Sequence, residues 1–195
     1  MANINHKPSR YMLNLLHVLP PFTDDSKKVV NAIIEINKGT INKYEVITES
    51  GQLKLDRVGY SSLAFPVAYG AIPQTLDLDN DALDIQIVGT TEPLVPGCLV
   101  EARVIGIMKF TDTGEIDDKV IAVLNNDKRM DHITSIDQLG DHVKKEIQHY
   151  WEHYKDLKKM NSGLAEGFFD TAEAIKIIDE CAERYQKDYA PQLEN

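Results

Sequence analysis

Cysteine is nearly absent from this chain. Cys98 and Cys181 are the only two among 195 residues, and they stand far apart at no zinc or redox spacing, which excludes a disulfide framework and a cysteine-built metal site. Cys98 lies among Leu, Val and Gly, and Cys181 falls on the apolar side of a predicted helix, so both are expected as core thiols in a reducing compartment. Apolar runs long enough to cross a bilayer are missing as well. The segment "YMLNLLHVLP" (11–20) is broken by Asn14 and His17 and lacks a small-residue cleavage pattern, so it makes a poor signal peptide. The expected location is cytoplasmic. A surplus of basic residues is also lacking: 21 Lys and Arg face 31 Asp and Glu, for a net charge of −10. That argues against a nucleic-acid surface, which needs cations to displace counterions, and against docking on anionic lipid. It leaves open a small anionic ligand, because divalent cations invert the local field. Internal repeats and low-complexity segments do not occur.

What is present is a core-forming composition, 43% apolar, with two different periodicities. From Val29 to about Leu124 the chain reads as short strands: "NAIIEI", "KYEVIT", "LKLDR", "LDIQIV", "CLVEARVIGIM" and "KVIAVL", separated by the turn segments "NKGT", "ESGQ", "LVPG" and "TDTGE". No helix-length segment lies between them, so a small barrel is favoured over a parallel α/β sheet. Beyond that the period changes. Val143, Ile147, Tyr150, Trp151, Tyr154 and Leu157 recur at helical spacing, which places Tyr154-Lys155 on a helix. "DTAEAIKIIDECAERY" then opens with Asp170 and Glu173 at capping-box spacing and carries Ala174, Ile178, Cys181 and Tyr185 as a stripe. The expectation is an α+β fold in one domain over 1–195, with a barrel over about 29–124 and a helical part over about 135–190.

The chemistry concentrates in acids. "DLDNDALD" places Asp77, Asp79, Asp81 and Asp84 within eight residues, where like charges repel unless something neutralises them. A calcium EF-hand loop fails, since its sixth position would be Ala82 and its twelfth Val88. A solvated Asx-turn loop is the plain alternative. Against it stands a second acidic hairpin, "FTDTGEIDDK", with Asp112, Glu115, Asp117 and Asp118. Two such loops facing one mouth would form an oxygen-only cluster suited to Mg²⁺. Lys43 and Glu45 alternate on one side of their strand, Glu35 sits among apolar neighbours, and Arg57, Lys119, Tyr154 and Lys155 supply donors. Taken singly, each would be a surface charge. Together they match a polyphosphate, with metals for the bridging oxygens and Arg, Lys and Tyr for the terminal ones. His149 and His153, four apart, lack the Glu and the third ligand of a zinc motif.

"IIEI", "KYEV", "ESGQLKLDR", "FPVAYG", "TLDLDNDALD", "PGCLVEARVIGIMKFTD" and "HYWEHYKDL" follow one another from about Val29 to Leu157, and this ordered set resembles family I soluble inorganic pyrophosphatases. The resemblance implies an OB-like five-stranded β-barrel with flanking C-terminal helices, hydrolysis of pyrophosphate, and several Mg²⁺ ions per site. It implies Asp79, Asp84 and Asp117 as ligands of the tighter metal, with Asp84 shared with a second. Asp112 and Asp117 would hold a metal that arrives with substrate, and Glu45 another through water. Asp81 would be the general base. Lys43, Arg57, Tyr69, Lys119, Tyr154 and Lys155 would bind phosphate, and Glu35 would be a supporting acid at the rim. A homohexamer is implied by similarity to the short bacterial type.

The chain departs from the family's pattern at Phe65, Ala68 and Thr113, and in "KKMNSGLAEGFF" after "HYKDL". The two missing polar groups at Phe65 and Ala68 are expected to be coupled in one drier wall. The alternatives are a catalytically weakened protein of the same fold and an OB-like binding module that uses the acids only structurally.

Overall fold

A computed structural model describes residues 14–193; the parts of the N-terminal segment and of the domain assignment that fall on 1–13 and 194–195 lie outside the described residues. Among the described residues there are nine strands: β1 Val29–Ile36, β2 Asn42–Val46, β3 Leu53–Val58, β4 Ala68–Ala71, β5 Asp84–Val88, β6 Leu99–Asp112, β7 Glu115–Ile116, β8 Lys119–Leu124 and β9 Gly163–Phe169. The main helices are the single turn α1 Leu15–Val18, then α2 Asp141–His153 and α3 Thr171–Arg184.

Strand pairing runs β1-β4-β5-β8-β6, and β6 returns to β1, so five strands form a closed ring, as the OB-like expectation requires. The β5–β8 pair is parallel, and the other pairs of the ring are antiparallel. The membership differs from the sequence expectation. "KYEV" and "LKLDR" pair only with each other as a separate two-stranded sheet, and the short strand β4, "AYGA", takes a ring position. Gly70 permits this, because a Cβ there would sit 2.0 Å from the Ile33 carbonyl oxygen. The segment 158–169, which falls within the part expected to be helical, contributes β9, which pairs along β6.

Successive side chains of each strand point to opposite faces, and the two faces feed two cores. Val120 and Ala122 join Ile34, Ile85 and Ile107 with Ala174, Ile178 and Cys181 of α3. Ile121 and Val123 join Ile36, Phe65 and Phe110 with Ile147, Tyr150 and Trp151 of α2. Asp170 caps α3, its carboxylate accepting from the Glu173 N–H at 2.9 Å; Glu173 itself bonds Lys109 of β6 at 2.5 Å, so it serves the sheet. The helix α2 ends at His153, and Leu157 is 77% exposed. The predicted apolar stripe therefore stops a turn early, and Tyr154-Lys155 follows the helix rather than lying within it.

Candidate active site

The first acid loop joins β4 to β5. Its turn is closed by the Asp77 N–H donating to the Asp81 carbonyl at 2.7 Å and by the Asn80 N–H donating to the Asp77 carbonyl at 3.1 Å. Asn80 takes φ +71°, a left-handed conformation that asparagine tolerates better than most residues. The Asp81 N–H then donates to Asp79 Oδ1 at 3.0 Å. The four aspartates divide. Asp79, Asp81 and Asp84 line one cavity of about 340 Å³. Asp77 is 6% exposed and faces α3, with its carboxylate 3.6 Å from Cys181 Sγ and 3.9 Å from Arg184. It anchors the loop, together with the Leu76 N–H donated to the Cys181 carbonyl at 3.0 Å.

The second acid loop is the β6–β7 hairpin. Thr113 and Gly114 both have positive φ, +57° and +96°, as a two-residue hairpin turn requires. Thr113 Oγ1 donates to Asp112 Oδ1 at 3.1 Å. Asp118 is buried and accepts the Phe110 N–H at 3.0 Å, which pins the hairpin. Asp112 and Asp117 reach the same cavity as the first loop, while Glu115 is exposed. The two loops thus face one mouth.

The cations brace these acids. Lys119 is fully buried and bonds both Asp84 and Asp117, with its ammonium 4.5 Å above the Trp151 ring. Burial opposes its charge, but the two carboxylates more than make up for this and raise its pKa. It therefore lies beneath the acids and is not part of the cavity lining, unlike the other expected phosphate donors. Lys155 bonds Asp112, which Tyr154 also reaches at 3.1 Å. Lys43 bonds Glu45 within the hairpin. Arg57 pairs with Asp56 at 2.5 Å and lies 5.8 Å from the Tyr60 ring. Tyr69 is buried in the wall, and burial, with Asp84 next, raises its phenol well above the ordinary value.

Eight carboxylates and four cationic side chains line the cavity. Burial raises Asp79, with Asp117 adding to it, and raises Asp81, with Asp79 and Glu45 adding to it. Burial likewise raises Asp84, against the pull of Lys119. Asp112 is the exception: burial pushes up, but the Lys155 ammonium outweighs it and lowers the pKa. Glu35 lies in the buried wall rather than at the rim. It accepts the Val46 N–H at 2.7 Å and is pushed up to about 8 by desolvation. Among the described residues no three acids converge as a ready ligand cluster; several are engaged by lysines instead. An all-oxygen donor set with more carboxylates than cations, several of them raised by burial, is nevertheless the chemistry that fits hard divalent cations.

Several lining residues escaped the sequence analysis. Leu16, Lys54, Glu49 and Trp151 all border the cavity. Lys54 could have been found from its register opposite Glu45. Leu16 has no local signal, because a distant segment brings it there. The buried indole N–H of Trp151 has no hydrogen-bond partner among the described residues. The expected coupling of Phe65 and Ala68 does not match the structure: Phe65 belongs to the core against α2, with its ring 4.8 Å from that of Tyr150, while Ala68 belongs to the core against α3.

Fold and cavity together define a class, an OB-like β-protein whose acid-rich, lysine-braced site suits phosphate chemistry. The family model for inorganic pyrophosphatase matches residues 32–186, and the chain belongs to that family. The inorganic pyrophosphatase of Geobacillus stearothermophilus is 47% identical over 162 residues, covering 82% of this chain and 96% of that one. Soluble inorganic pyrophosphatase 5 of Arabidopsis thaliana is 41% identical, covering 80% of this chain and 72% of that one. The crystal structure of an inorganic pyrophosphatase from Neisseria gonorrhoeae superposes with a TM-score of 0.84 at 38% identity, covering 89% of this chain and 99% of that one. That from Thermus thermophilus does so with 0.82 at 40% identity, over 89% and 99%. Among the described residues no helix is long and apolar enough to cross a membrane.

Proposed function

We propose that this protein is a cytoplasmic, Mg²⁺-dependent inorganic diphosphatase that hydrolyses pyrophosphate to two orthophosphates, as one catalytic domain assembled into a homohexamer. The observation that carries the activity is the convergence of Asp79, Asp81, Asp84, Asp112 and Asp117 from two loops on a cavity also lined by Lys43, Arg57, Tyr154 and Lys155.

Asp79, Asp84, Asp112 and Asp117 would hold Mg²⁺, with Glu45 assisting through water, and the cation held there would supply charge withdrawal from phosphate and a more acidic water. Asp81 takes the proton of that water as it attacks one phosphorus. Its pKa, raised by burial, moves it toward the neutral range where a general base works best. The bond from that phosphorus to the bridging oxygen breaks, and the second phosphate departs. Arg57, Lys43 and Lys155 hold the terminal oxygens, with Tyr69 and Tyr154 as neutral donors, so charge developing on the leaving group meets fixed cations. Lys119 acts from below by holding Asp84 and Asp117 in place. Lys43 and Lys155, here bonded to Glu45 and Asp112, would be free to turn to substrate phosphate wherever those carboxylates held a cation.

Phosphate release from pyrophosphate at neutral pH with millimolar Mg²⁺ is the expected result, and Ca²⁺ should inhibit because its looser coordination misplaces the attacking water. No phosphate release under these conditions would favour the binding-module alternative. The hexamer rests on the resemblance to the short bacterial type alone; a monomer mass in solution would contradict it.

A further inference from the structure

Residues 14–19 precede the stretch matched by the family model, yet they reach the catalytic cavity. Leu16 is 5% exposed, borders that cavity, and packs with Ile33 and Ala71. Around it the segment makes a set of specific bonds. Asn14 caps α1, and its amide donates to the Thr48 carbonyl at 2.7 Å. The same carbonyl is 2.8 Å from His17 Nε2. His17 Nδ1 is 2.8 Å from the Tyr185 hydroxyl beyond α3, and its ring stacks on Tyr185 and Tyr189 at 5.9 and 5.1 Å. Gln74, just before the first acid loop, bonds the Leu16 and His17 carbonyls, each at 2.8 Å.

Thr48 lies at the tip of the β2–β3 hairpin. That hairpin carries Lys43, Glu45 and Arg57 but does not join the ring. At the turn end of β2 the Val46 N–H bonds Glu35; beyond it, the tip is held by the two donors from the N-terminal segment. A carbonyl oxygen only accepts, so Nε2 of His17 carries the proton, and Nδ1 of the neutral ring accepts from the Tyr185 hydroxyl. Burial lowers the imidazole pKa against the pull of the Thr48 carbonyl and of Glu49, which keeps the ring neutral, and the Thr48 carbonyl fixes the tautomer. One ring thereby joins the hairpin tip to the C-terminal helix.

We propose that His17 is a positioning residue for the substrate site: it fixes the tip of the β2–β3 hairpin and, through the hairpin, the placement of Lys43 and Arg57 on substrate phosphate. The effect on turnover rests on the pyrophosphatase activity proposed above; the effect on the hairpin does not.

The test compares wild type with His17→Ala, His17→Gln and Tyr185→Phe by amide hydrogen exchange and by steady-state kinetics with Mg-pyrophosphate. His17→Ala should speed exchange in residues 43–58 by about tenfold while β5, β6 and β8 keep wild-type protection. It should raise KM by about tenfold and change kcat by less than about twofold, the signature of lost ground-state placement. His17→Gln, whose amide can still donate to Thr48, should recover most of both effects, and Tyr185→Phe should show a partial loss. Wild-type protection of the hairpin in His17→Ala would overturn the proposal, as would equal effects of the Ala and Gln variants. If His17→Ala does not fold, the Tyr185→Phe and His17→Gln pair decides by the same criteria. A wild-type protein that releases no phosphate would sink the proposed activity, while the exchange data would still decide the role of His17.

Discussion

The two acidic loops look alike in sequence and differ in how their charge is met. In the β6–β7 hairpin, Asp118 is satisfied by a backbone N–H and Asp112 by Lys155, which holds its pKa down. In the β4–β5 loop, Asp79 and Asp81 have no such lysine, and burial pushes both up. Asp84 leans on Lys119, which it shares with Asp117 of the other loop. In the hairpin burial raises only Asp118, which lies outside the cavity lining, whereas the first loop keeps within the cavity charge that burial penalises and a divalent cation would relieve. Lys119 is the hinge of the comparison, because one buried ammonium serves both loops.

The largest effect should come from breaking the shared point. Asp117→Asn should lower kcat by about 10³-fold, a loss comparable to removing a preorganised electrostatic group from an active site. Stopped-time phosphate assays at saturating Mg²⁺ would check it, and retention of a tenth of the activity would mean that Asp117 serves no metal. Lys119→Met attacks stability more than geometry. Removing one partner of a buried ion pair typically costs about 3–5 kcal/mol, here with two carboxylates left facing each other. Urea melts in EDTA should show that loss, and added Mg²⁺ should recover more stability in the variant than in the wild type.

The next effect is on pH. Glu35 titrates near 8 in the folded state against an ordinary 4.5, so the stability contributed by its buried neutral form is complete below about 4.5 and is lost as pH rises through about 8. The apo protein should therefore melt lower at pH 8 than at pH 6. Glu35→Gln, which keeps an acceptor for the Val46 N–H, should flatten that decline by several degrees, about 2–4 °C per kcal/mol for a chain of this size. A wild-type slope in the variant would show that Glu35 does not carry the dependence. A smaller effect is expected at Phe65. Because Phe65 and Ala68 feed different cores, the stability changes of Phe65→Tyr and Ala68→Asn should add within about 0.5 kcal/mol, and a larger coupling in the double variant would reunite them. Glu115→Gln marks the bottom of the scale. Its exposed side chain should leave kcat within about twofold of wild type, and a loss like that of Asp117→Asn would mean that the hairpin register is wrong.

Much of this was legible in residue order. Asp79, Asp81, Asp84, Asp112 and Asp117 reach one cavity, and the strands β1, β5, β6 and β8 run where their patterns place them, because each pattern is local: period-two runs between turn residues, or charges packed into a loop. What was not legible depends on distant partners. The strand β4 is four residues long and becomes a ring member only because Gly70 lets β1 approach. The strand β9 forms because β6 is long enough to offer it an edge. Asp77 looks the same as Asp79 in sequence, yet Cys181 and Arg184, more than a hundred positions away, draw it out of the site. Lys119 reads as a free donor next to an acid loop, and only the fold reveals that it is buried beneath both loops.

Trp151 is the only tryptophan in the chain, and it borders the cavity with the Lys119 ammonium 4.5 Å above its ring. The protein therefore carries a single built-in optical reporter at its working centre. A cation over an indole face shifts its emission, and any ligand that redistributes Asp84 and Asp117 away from Lys119 alters that field. Titration of cations or phosphate anions can thus be followed from the unmodified protein's own light, with no competing tryptophan signal from elsewhere in the chain.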